Sequence, residues 1–408
     1  MLLALCFLIS LNRIIKFIFH FTLRGVNILK ASVHEHTENG EDRLNWRYQD
    51  KSYNESYKQW RKRNKDSAGF YFAENPNQLT YQDGVGFIKD APEAHEAKAL
   101  RRTLTVLGSV LLFRVFFDAF SVYVLPKLLG AMGFDISYDI FTGRLYGSET
   151  MLITVKFITE ALSVMIPAVM LVIGFKLPFK VMLPMKTGNK PMFKACVPAA
   201  ILIGGVCCCM SEVFCRVFQT ASPSEQINLP NSGFGWTYVI ITQIIIIPVI
   251  SELCSGGIIL QLMRQFGDGV ALVLTSCITA VFCYDFTQFL FYFALAITIR
   301  YFTIRTGSVL AGAVMRLTLS VYTFGLLIIK YKTEESHGRT FGILYLFITL
   351  IIGIVFTIRF LYQHSDCFGV TMRSRYMPFG KKMMWVITSI PIILWITAAL
   401  IITLLNSI

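Results

Sequence analysis

Histidine is scarce in this chain. Six of the 408 residues are histidines, and none of them lies within a core hydrophobic span between residues 104 and 406. Histidine is the commonest protein ligand for metals, and a serine nucleophile needs a base of this kind beside it. The sequence therefore predicts neither a conventional histidine-ligated zinc site nor a serine-histidine pair within a membrane. The histidines are His20, His34, His36, His95, His337 and His364.

Several common catalytic and phosphate-binding motifs are also missing. The chain has no His-Glu-x-x-His, Gly-x-Ser-x-Gly, Walker A or Gly-x-Gly-x-x-Gly pattern. These patterns are typical of zinc proteases, serine hydrolases, P-loop NTPases and dinucleotide-binding enzymes, respectively. None of these four classes is supported by the sequence.

Charged residues are few, and apolar residues dominate. Only 15% of the chain is charged, 54% is hydrophobic, and the mean hydropathy is +0.57. Such a composition is typical of polytopic membrane proteins, since a soluble domain needs a more polar surface. At about 20 apolar residues per span, the sequence predicts an all-α, polytopic helical membrane protein with eight to nine transmembrane helices. The hydrophobic segments are 104–128, 150–175, 195–218, 237–263, 269–285, 287–303, 308–329, 341–363 and 383–406.

The excess of positive charge follows a membrane pattern. The net charge is +13, yet the loops at 129–149 and 219–236 hold one basic residue, Arg144, between them. Lysine and arginine concentrate instead at 176–194 and 364–382, and Arg300 and Arg305 are counted with the loop after the sixth segment. By the positive-inside rule these basic loops are cytoplasmic. We therefore predict a multi-pass protein of the cell membrane and no nucleic-acid partner.

Three regions differ in composition. Residues 1–28 form an apolar or amphipathic segment that either lies on the membrane or spans it. Residues 29–103 are polar and predicted to be cytoplasmic, as a solvated linker or as an element lying on anionic headgroups. Aromatic residues there, among them Trp60, suggest that part of it folds or touches the membrane. Residues 104–406 form the transmembrane domain.

Polar and charged residues also occur inside the predicted spans. Such residues are expensive in a bilayer and commonly mark functional sites. Two pairs have i,i+4 spacing and are predicted to neutralise one another on a helix face. The residues are Arg114, Asp118, Glu160, Glu212, Arg216, Glu252 and Arg316, with Asp285 near a helix end.

The segment 248–320 carries short motifs in a distinctive order. They are Pro248-Val249-Ile250-Ser251-Glu252, Gly257, Arg264-Gln265-Phe266-Gly267, Ser276, Gln288-Phe289 and Arg305-Thr306-Gly307-Ser308. In this order they resemble the CPBP family, which comprises CAAX prenyl endopeptidases and bacteriocin-processing or immunity (Abi) proteins. The resemblance implies a helical core at 237–329. In the family's chemistry a glutamate activates a water, and histidines hold a divalent, zinc-like metal within the membrane.

The positions that carry this chemistry are mostly altered here. Family members have Glu-Glu-x-x-x-Arg on one helix, Phe-x-x-x-His on the next, and His-x-x-x-Asn/Asp after the Arg-Thr-Gly-Ser turn. The second glutamate is kept as Glu252, which is the best candidate for a retained role. We therefore expect no metal and no other cofactor. The replaced positions are Ser251, Gly256, Cys283, Arg316 and Ser320.

Two arrangements of Glu252 follow from these replacements. Arg316 restores a positive charge where a histidine would hold a dication, so we predict a Glu252–Arg316 ion pair in place of the metal. The rival is a thiolate–carboxylate metal site built from Glu252, Cys254, Cys283 and Asp285. Against the rival, Cys254 is two residues from Glu252 and faces elsewhere on a helix.

Three functions are compatible with the sequence. The first is a catalytically degenerate pseudoprotease in the lipid bilayer that binds a membrane-protein partner or a hydrophobic peptide, in peptide immunity, maturation or secretion by family analogy. The second is an active intramembrane metalloendopeptidase of the CAAX-processing type, with a rearranged site that uses Glu252 with Cys283 or Asp285. The third is a small-molecule transporter, which would favour an inverted repeat of broken helices; we detect no such repeat.

Overall fold

The structure is a computed structural model that describes most of the chain from residue 49 onward. The N-terminal segment 1–28 falls outside the described residues, and so does the side chain of Arg216, which the Glu212–Arg216 pair requires. The described ranges are 49–63, 79–82, 86–89, 92–139, 144–218, 230, 232–332, 335–363 and 377–407.

The first half of the chain contains two short hairpins and three long helices. Both hairpins are antiparallel, with Leu79 opposite Lys89 in the first and Ile136 opposite Gly147 in the second. The elements are α1 (Lys51–Arg63), β1 (Leu79–Gln82), β2 (Gly86–Lys89), α2 (Pro92–Ala131), β3 (Ile136–Asp139), β4 (Arg144–Gly147), α3 (Glu149–Phe175), α4 (Phe179–Met182), α5 (Lys190–Lys194) and α6 (Cys196–Phe218).

The second half begins with a long helix of changing pitch. It runs through α7 (Gly233–Val239), a π-helix π1 (Ile240–Ile246), α8 (Ile247–Glu252), a second π-helix π2 (Leu253–Ile259), α9 (Leu260–Met263) and a 3₁₀ turn (Arg264–Phe266). The remaining helices are α10 (Asp268–Val281), α11 (Phe289–Thr306), α12 (Val309–Lys332), α13 (Glu335–Gln363), α14 (Phe379–Ile387) and α15 (Ile390–Ser407).

The predicted fold class, an all-α polytopic membrane protein, is confirmed. Among the described residues, seven helices are long and apolar enough to cross a membrane, and the pair α14–α15, bent by 60°, makes up to eight. Each of the nine predicted hydrophobic segments corresponds to a helix or to this pair. The fifth segment is α10, which has 14 residues. At 1.5 Å per residue it is about 21 Å long, shorter than the roughly 30 Å hydrocarbon core.

The basic segments of the chain meet at one end of the bundle. Ser308 donates to the carbonyl of Met185 at 3.0 Å, and the amide of Gly188 donates to Thr306 at 2.9 Å. Lys382 donates to the carbonyl of Phe266 at 2.7 Å. We call this end, formed by residues 176–194, 264–268, 305–309 and 377–382, the basic end. The loops predicted to be cytoplasmic thus share one end wherever the structure describes them.

The basic end is tied together by a buried ion pair. Glu96 at the start of α2 pairs with Lys382 of α14, and their side chains are 2% and 0% exposed. Glu96 also accepts from the amide of Met377 at 2.8 Å. Burying two charges is costly unless each finds partners. The pair therefore fixes the C-terminal helices against the start of the first span.

Helix α1 docks across the basic end through aromatic side chains. Tyr53 donates to the side chain of Gln261 at 2.8 Å, and Tyr57 donates to the Gln261 carbonyl at 2.9 Å. Trp60 donates its indole N–H to the carbonyl of Phe175 at 2.9 Å. The three aromatic residues have i, i+4, i+7 spacing and share one helix face. This part of the polar N-terminal region is therefore folded onto the transmembrane domain.

Replacing Trp60 by alanine should release α1 from the bundle. Trp60 is 3% exposed, and truncating a buried tryptophan removes about 3–5 kcal/mol of packing. We expect trypsin to cleave within α1 at least about tenfold faster, because proteolysis follows the population of the open form. Gln59→Ala, on the exposed side of the same helix, is the control. Equal cleavage of the two variants would contradict the docking.

Candidate functional site

Glu252 lies where the central helix changes its pitch. It ends the short helix α8, between π1 and π2. Pro248 in α8 has no backbone N–H to donate, and Gly256 and Gly257 in π2 have no side chains. The regular backbone hydrogen bonding of the helix is therefore loosened on both sides of Glu252. Widened helical turns of this kind are frequent at functional sites. Glu252 points into the bundle, since it is 2% exposed.

The partner of Glu252 is Arg300 of α11. The guanidinium Nη1 donates to Glu252 Oε1, and the two side chains are 1% and 2% exposed. Arg300 Nη2 donates to Ser255 Oγ at 2.6 Å and to Thr279 Oγ1 at 3.4 Å. Further hydrogen bonds offset part of the cost of burying such a pair, although the Nε of Arg300 is buried without a partner. The guanidinium is thus held by residues of α8, π2 and α10.

Two glycines close around the Glu252 carboxylate. A Cβ at Gly256 would overlap that carboxylate and lie 2.9 Å from Arg300 Nη1. A Cβ at Gly312 of α12 would overlap the same oxygen, Oε1, and lie 2.6 Å from Thr303 Oγ1. The absence of side chains lets two backbone segments approach the ion pair directly. Oε1 of Glu252 is therefore closed in by backbone as well as paired with a guanidinium.

The predicted Glu252–Arg316 pair is wrong. Arg300 was assigned to a loop because it sits near the end of a hydrophobic segment, but α11 continues to Thr306 and keeps Arg300 within the helix. The α12 residue that faces Glu252 is Gly312, one turn before Arg316. Arg316 is half-buried. No carboxylate among the described side chains lies within 4.0 Å of its guanidinium.

Two of the candidate residues, Cys283 and Asp285, stabilise the turn between α10 and α11. Cys283 Sγ donates to the carbonyl of Asp285 at 3.3 Å. The Asp285 carboxylate accepts from the amide and hydroxyl of Thr287, at 2.8 and 2.7 Å, and from the amide of Gln288 at 3.3 Å. These amides lie in the turn just before α11, so the Asp285 carboxylate stabilises that turn by hydrogen bonds to the backbone two and three residues on. Its negative charge also complements the helix dipole.

The two serines at motif positions make local bonds. Ser251 accepts at its carbonyl from the hydroxyl of Ser255. Ser320 donates to the carbonyl of Arg316 at 3.1 Å. Back-bonding of this kind to the carbonyl four residues earlier is common for serine within helices. Neither serine hydroxyl contacts the Glu252 carboxylate.

A second polar cluster joins α2 to the same turn. The predicted i,i+4 pair Arg114–Asp118 is confirmed, with 3.8 Å between Nε and Oδ2. Asp118 accepts from the hydroxyl of Tyr284 at 2.7 Å, and Arg114 donates to Ser163 at 3.3 Å. The guanidinium also lies 3.7 Å from the ring centroid of Phe282. The turn after α10 is therefore fixed to the first span by charged side chains.

The central segment also matches a known family by sequence. Residues 233–322 match the family model "Type II CAAX prenyl endopeptidase Rce1-like". Over these residues the chain is similar to the CAAX prenyl endopeptidases, which supports the resemblance to the CPBP family. The matched segment runs from α7 into α12 and contains Glu252, Arg300 and Arg316. No curated protein and no solved structure matches the chain.

The matched core does not fit the metal that CPBP proteases use. Arg316 stands at one histidine position, and a guanidinium is a hydrogen-bond donor with no lone pair to offer. Cys283, at the other, is engaged with the Asp285 carbonyl. Among the described residues, no three His, Cys, Asp or Glu side chains are grouped to hold a metal ion. The alternative site of Glu252, Cys254, Cys283 and Asp285 is therefore wrong as well.

Arg300 is the site residue that the sequence interpretation missed. CPBP members have an arginine at the end of the first motif, where this chain has Gly256. The guanidinium of Arg300 comes within 2.9 Å of the place where a residue 256 side chain would begin. An arginine is thus present next to position 256, but it comes from α11. The signal available in the sequence was an arginine within the apolar run Phe289–Thr306, six residues before its end.

Proposed function

We propose that this protein is a pseudoprotease of the CPBP type. It keeps the helical core of an intramembrane CAAX endopeptidase and binds a hydrophobic peptide or a membrane-protein partner without cutting it. The protein resides in the cell membrane with its polar N-terminal segment in the cytoplasm. The observation that carries the proposal is the buried Glu252–Arg300 pair.

The pair removes the chemistry that hydrolysis needs. A general base must lie within hydrogen-bond reach of the water whose proton it takes. Here Oε1 of Glu252 accepts from Arg300, and the backbone at Gly256 and Gly312 closes on the same oxygen. A metal would otherwise make water acidic enough to attack, but the histidines that would hold it are replaced.

The family core is nevertheless retained around this altered centre. The central helix contains two π-helical stretches, and Arg300 Nη2 donates to Ser255 and Thr279, which leaves its Nε as the buried guanidinium nitrogen without a partner. A buried polar network costs stability unless its members are paired. Its presence in a membrane bundle fits a protein that uses the centre of this core for binding.

A cleavage assay with a matched variant tests the proposal. The full chain is reconstituted in proteoliposomes with a fluorogenic, prenylated peptide that ends in a CAAX sequence. We expect no cleavage above that of Glu252→Gln, and we expect the intact peptide to be retained by both proteins. Cleavage by the wild-type protein that disappears in Glu252→Gln would overturn the pseudoprotease proposal and support the endopeptidase. Loss of retention in both proteins would overturn the binding role.

A further inference from the structure

The docking of α1 brings two basic segments of the chain together. Trp60 donates to the carbonyl of Phe175, 115 residues away in the chain, and Lys176 follows Phe175 directly. Beyond Trp60, the last turn of α1 consists of Arg61-Lys62-Arg63. Helix α1 also packs on α4, which contains Lys180. We call residues 61–63, 176 and 180 the basic patch; it is one part of the basic end.

The lysines of the basic patch have no matching negative charge. Lys176 and Lys180 are exposed, and neither forms an ion pair with a carboxylate in the described part of the chain. The sequence from 161 to 211 contains no aspartate and no glutamate. Lys186, near the other end of α1, differs in this respect because it pairs with Asp50 at 2.8 Å. The charge of the basic patch is therefore available to a negatively charged partner.

Apolar side chains beside these lysines place the basic patch at the membrane surface. Helix α3 is long and apolar enough to cross a membrane and ends at Phe175. Ile173 and Phe179, on either side of Lys176, are 70% and 66% exposed. Large apolar side chains at the end of a spanning helix are covered by lipid, whereas a lysine beside them extends its flexible stem to the headgroups. Lys176 and Lys180 thus lie at the level of the headgroups.

We infer that Lys176 and Lys180, together with the basic last turn of α1, bind the phosphate groups of anionic phospholipids. Clustered lysine and arginine residues next to the end of a spanning helix attract such headgroups. The basic patch is complete only while Trp60 holds α1 in place, so docking of α1 strengthens lipid binding, and bound lipid stabilises the docked helix by the same factor. This inference goes beyond the proposed peptide binding and does not depend on it.

Lipid enrichment tests this inference. The full chain is reconstituted in nanodiscs of phosphatidylcholine and phosphatidylglycerol with identical acyl chains and extracted in mild detergent, and its retained lipids are counted by mass spectrometry. We expect the wild-type protein to retain phosphatidylglycerol at least about fivefold above its share of the bilayer, which is roughly the contribution of one basic residue near an anionic surface. Combining Lys176→Gln with Lys180→Gln should bring the enrichment close to one.

A matched pair of lysines controls for net charge. Lys190→Gln combined with Lys194→Gln removes the same charge from exposed positions of the basic end, but in α5, which packs on α6 and α11. This variant should keep most of the enrichment. Equal losses in the two double variants, or no enrichment in the wild-type protein, would overturn the inference.

An uncharged change tests the contribution of α1. Trp60→Ala leaves the net charge unaltered but releases the three basic residues of the last turn from the basic patch, so the enrichment should fall at least about threefold. Gln59→Ala should leave it unchanged. Enrichment that survives Trp60→Ala overturns the inference. It is also overturned if inorganic phosphate displaces phosphatidylglycerol while sodium chloride of equal ionic strength does not, because the basic patch is then a site for soluble phosphate. Monodisperse elution of each variant shows that it is folded.

Discussion

Replacing Arg300 by methionine should destabilise the protein by roughly 3–5 kcal/mol, because Glu252 is then left as an unpaired buried charge. Glu252→Gln should also destabilise it, since the guanidinium loses its carboxylate. The double variant should cost less than the sum of the two single changes, by about 0.5–3 kcal/mol. Equilibrium unfolding of the purified variants in mixed micelles measures all three free energies.

Arg316→Met is the matched control for this cycle. It removes an arginine from the neighbouring helix, but no described carboxylate pairs with it. Combined with Glu252→Gln, its effect should be additive within about 0.5 kcal/mol. Coupling of Glu252 to Arg316 instead of Arg300 would contradict the structure and restore the pair that the sequence suggested.

Alanine at Gly312 should be poorly tolerated. Its Cβ would overlap the Glu252 carboxylate and lie 2.6 Å from Thr303 Oγ1, and overpacking of a filled interior typically costs about 1–3 kcal/mol. Gly256→Ala should behave similarly, because its Cβ would meet the same carboxylate. Thermal unfolding in detergent is the measurement.

Gly174→Ala provides the control for both glycines. It lies in helix α3, with no atom within 4 Å of an added Cβ. Alanine is the better helix former by up to about 1 kcal/mol, so this variant should match or exceed the wild-type melting temperature. If Gly312→Ala had the same melting temperature as Gly174→Ala, the backbone at Gly312 would not lie against the Glu252 carboxylate in the way described.

The transmembrane fold could be predicted because its signal is local. A run of about 20 apolar residues predicts a spanning helix with little dependence on neighbouring segments. The position of α1 could not be predicted this way. Tyr53, Tyr57 and Trp60 form a stripe along one helix face, yet the helix is otherwise polar, and its partner Gln261 is about 200 residues away in the chain. Such docking depends on tertiary contacts.

The site could be predicted in part. Glu252 was found from the motif around it, and Arg114–Asp118 from its i,i+4 spacing. Arg300 was missed because it lies near the end of its hydrophobic segment, where lysine and arginine normally indicate a loop. The choice between Arg300 and Arg316 as partner depends on which residue of α12 faces Glu252. Gly312 takes that place, and spacing along the chain does not reveal the rotation of one helix against another.

The metal content of the purified protein tests the central claim most directly. The account predicts that the full chain, isolated in nanodiscs after growth with zinc and without chelators, contains well under one zinc per chain, because Arg300 engages Glu252 and the histidine positions are replaced. The same value is expected for Cys283→Ala, which removes the remaining soft ligand at those positions. Elemental analysis that finds one zinc per chain in the wild-type protein, lost in Cys283→Ala or Glu252→Gln, would contradict it.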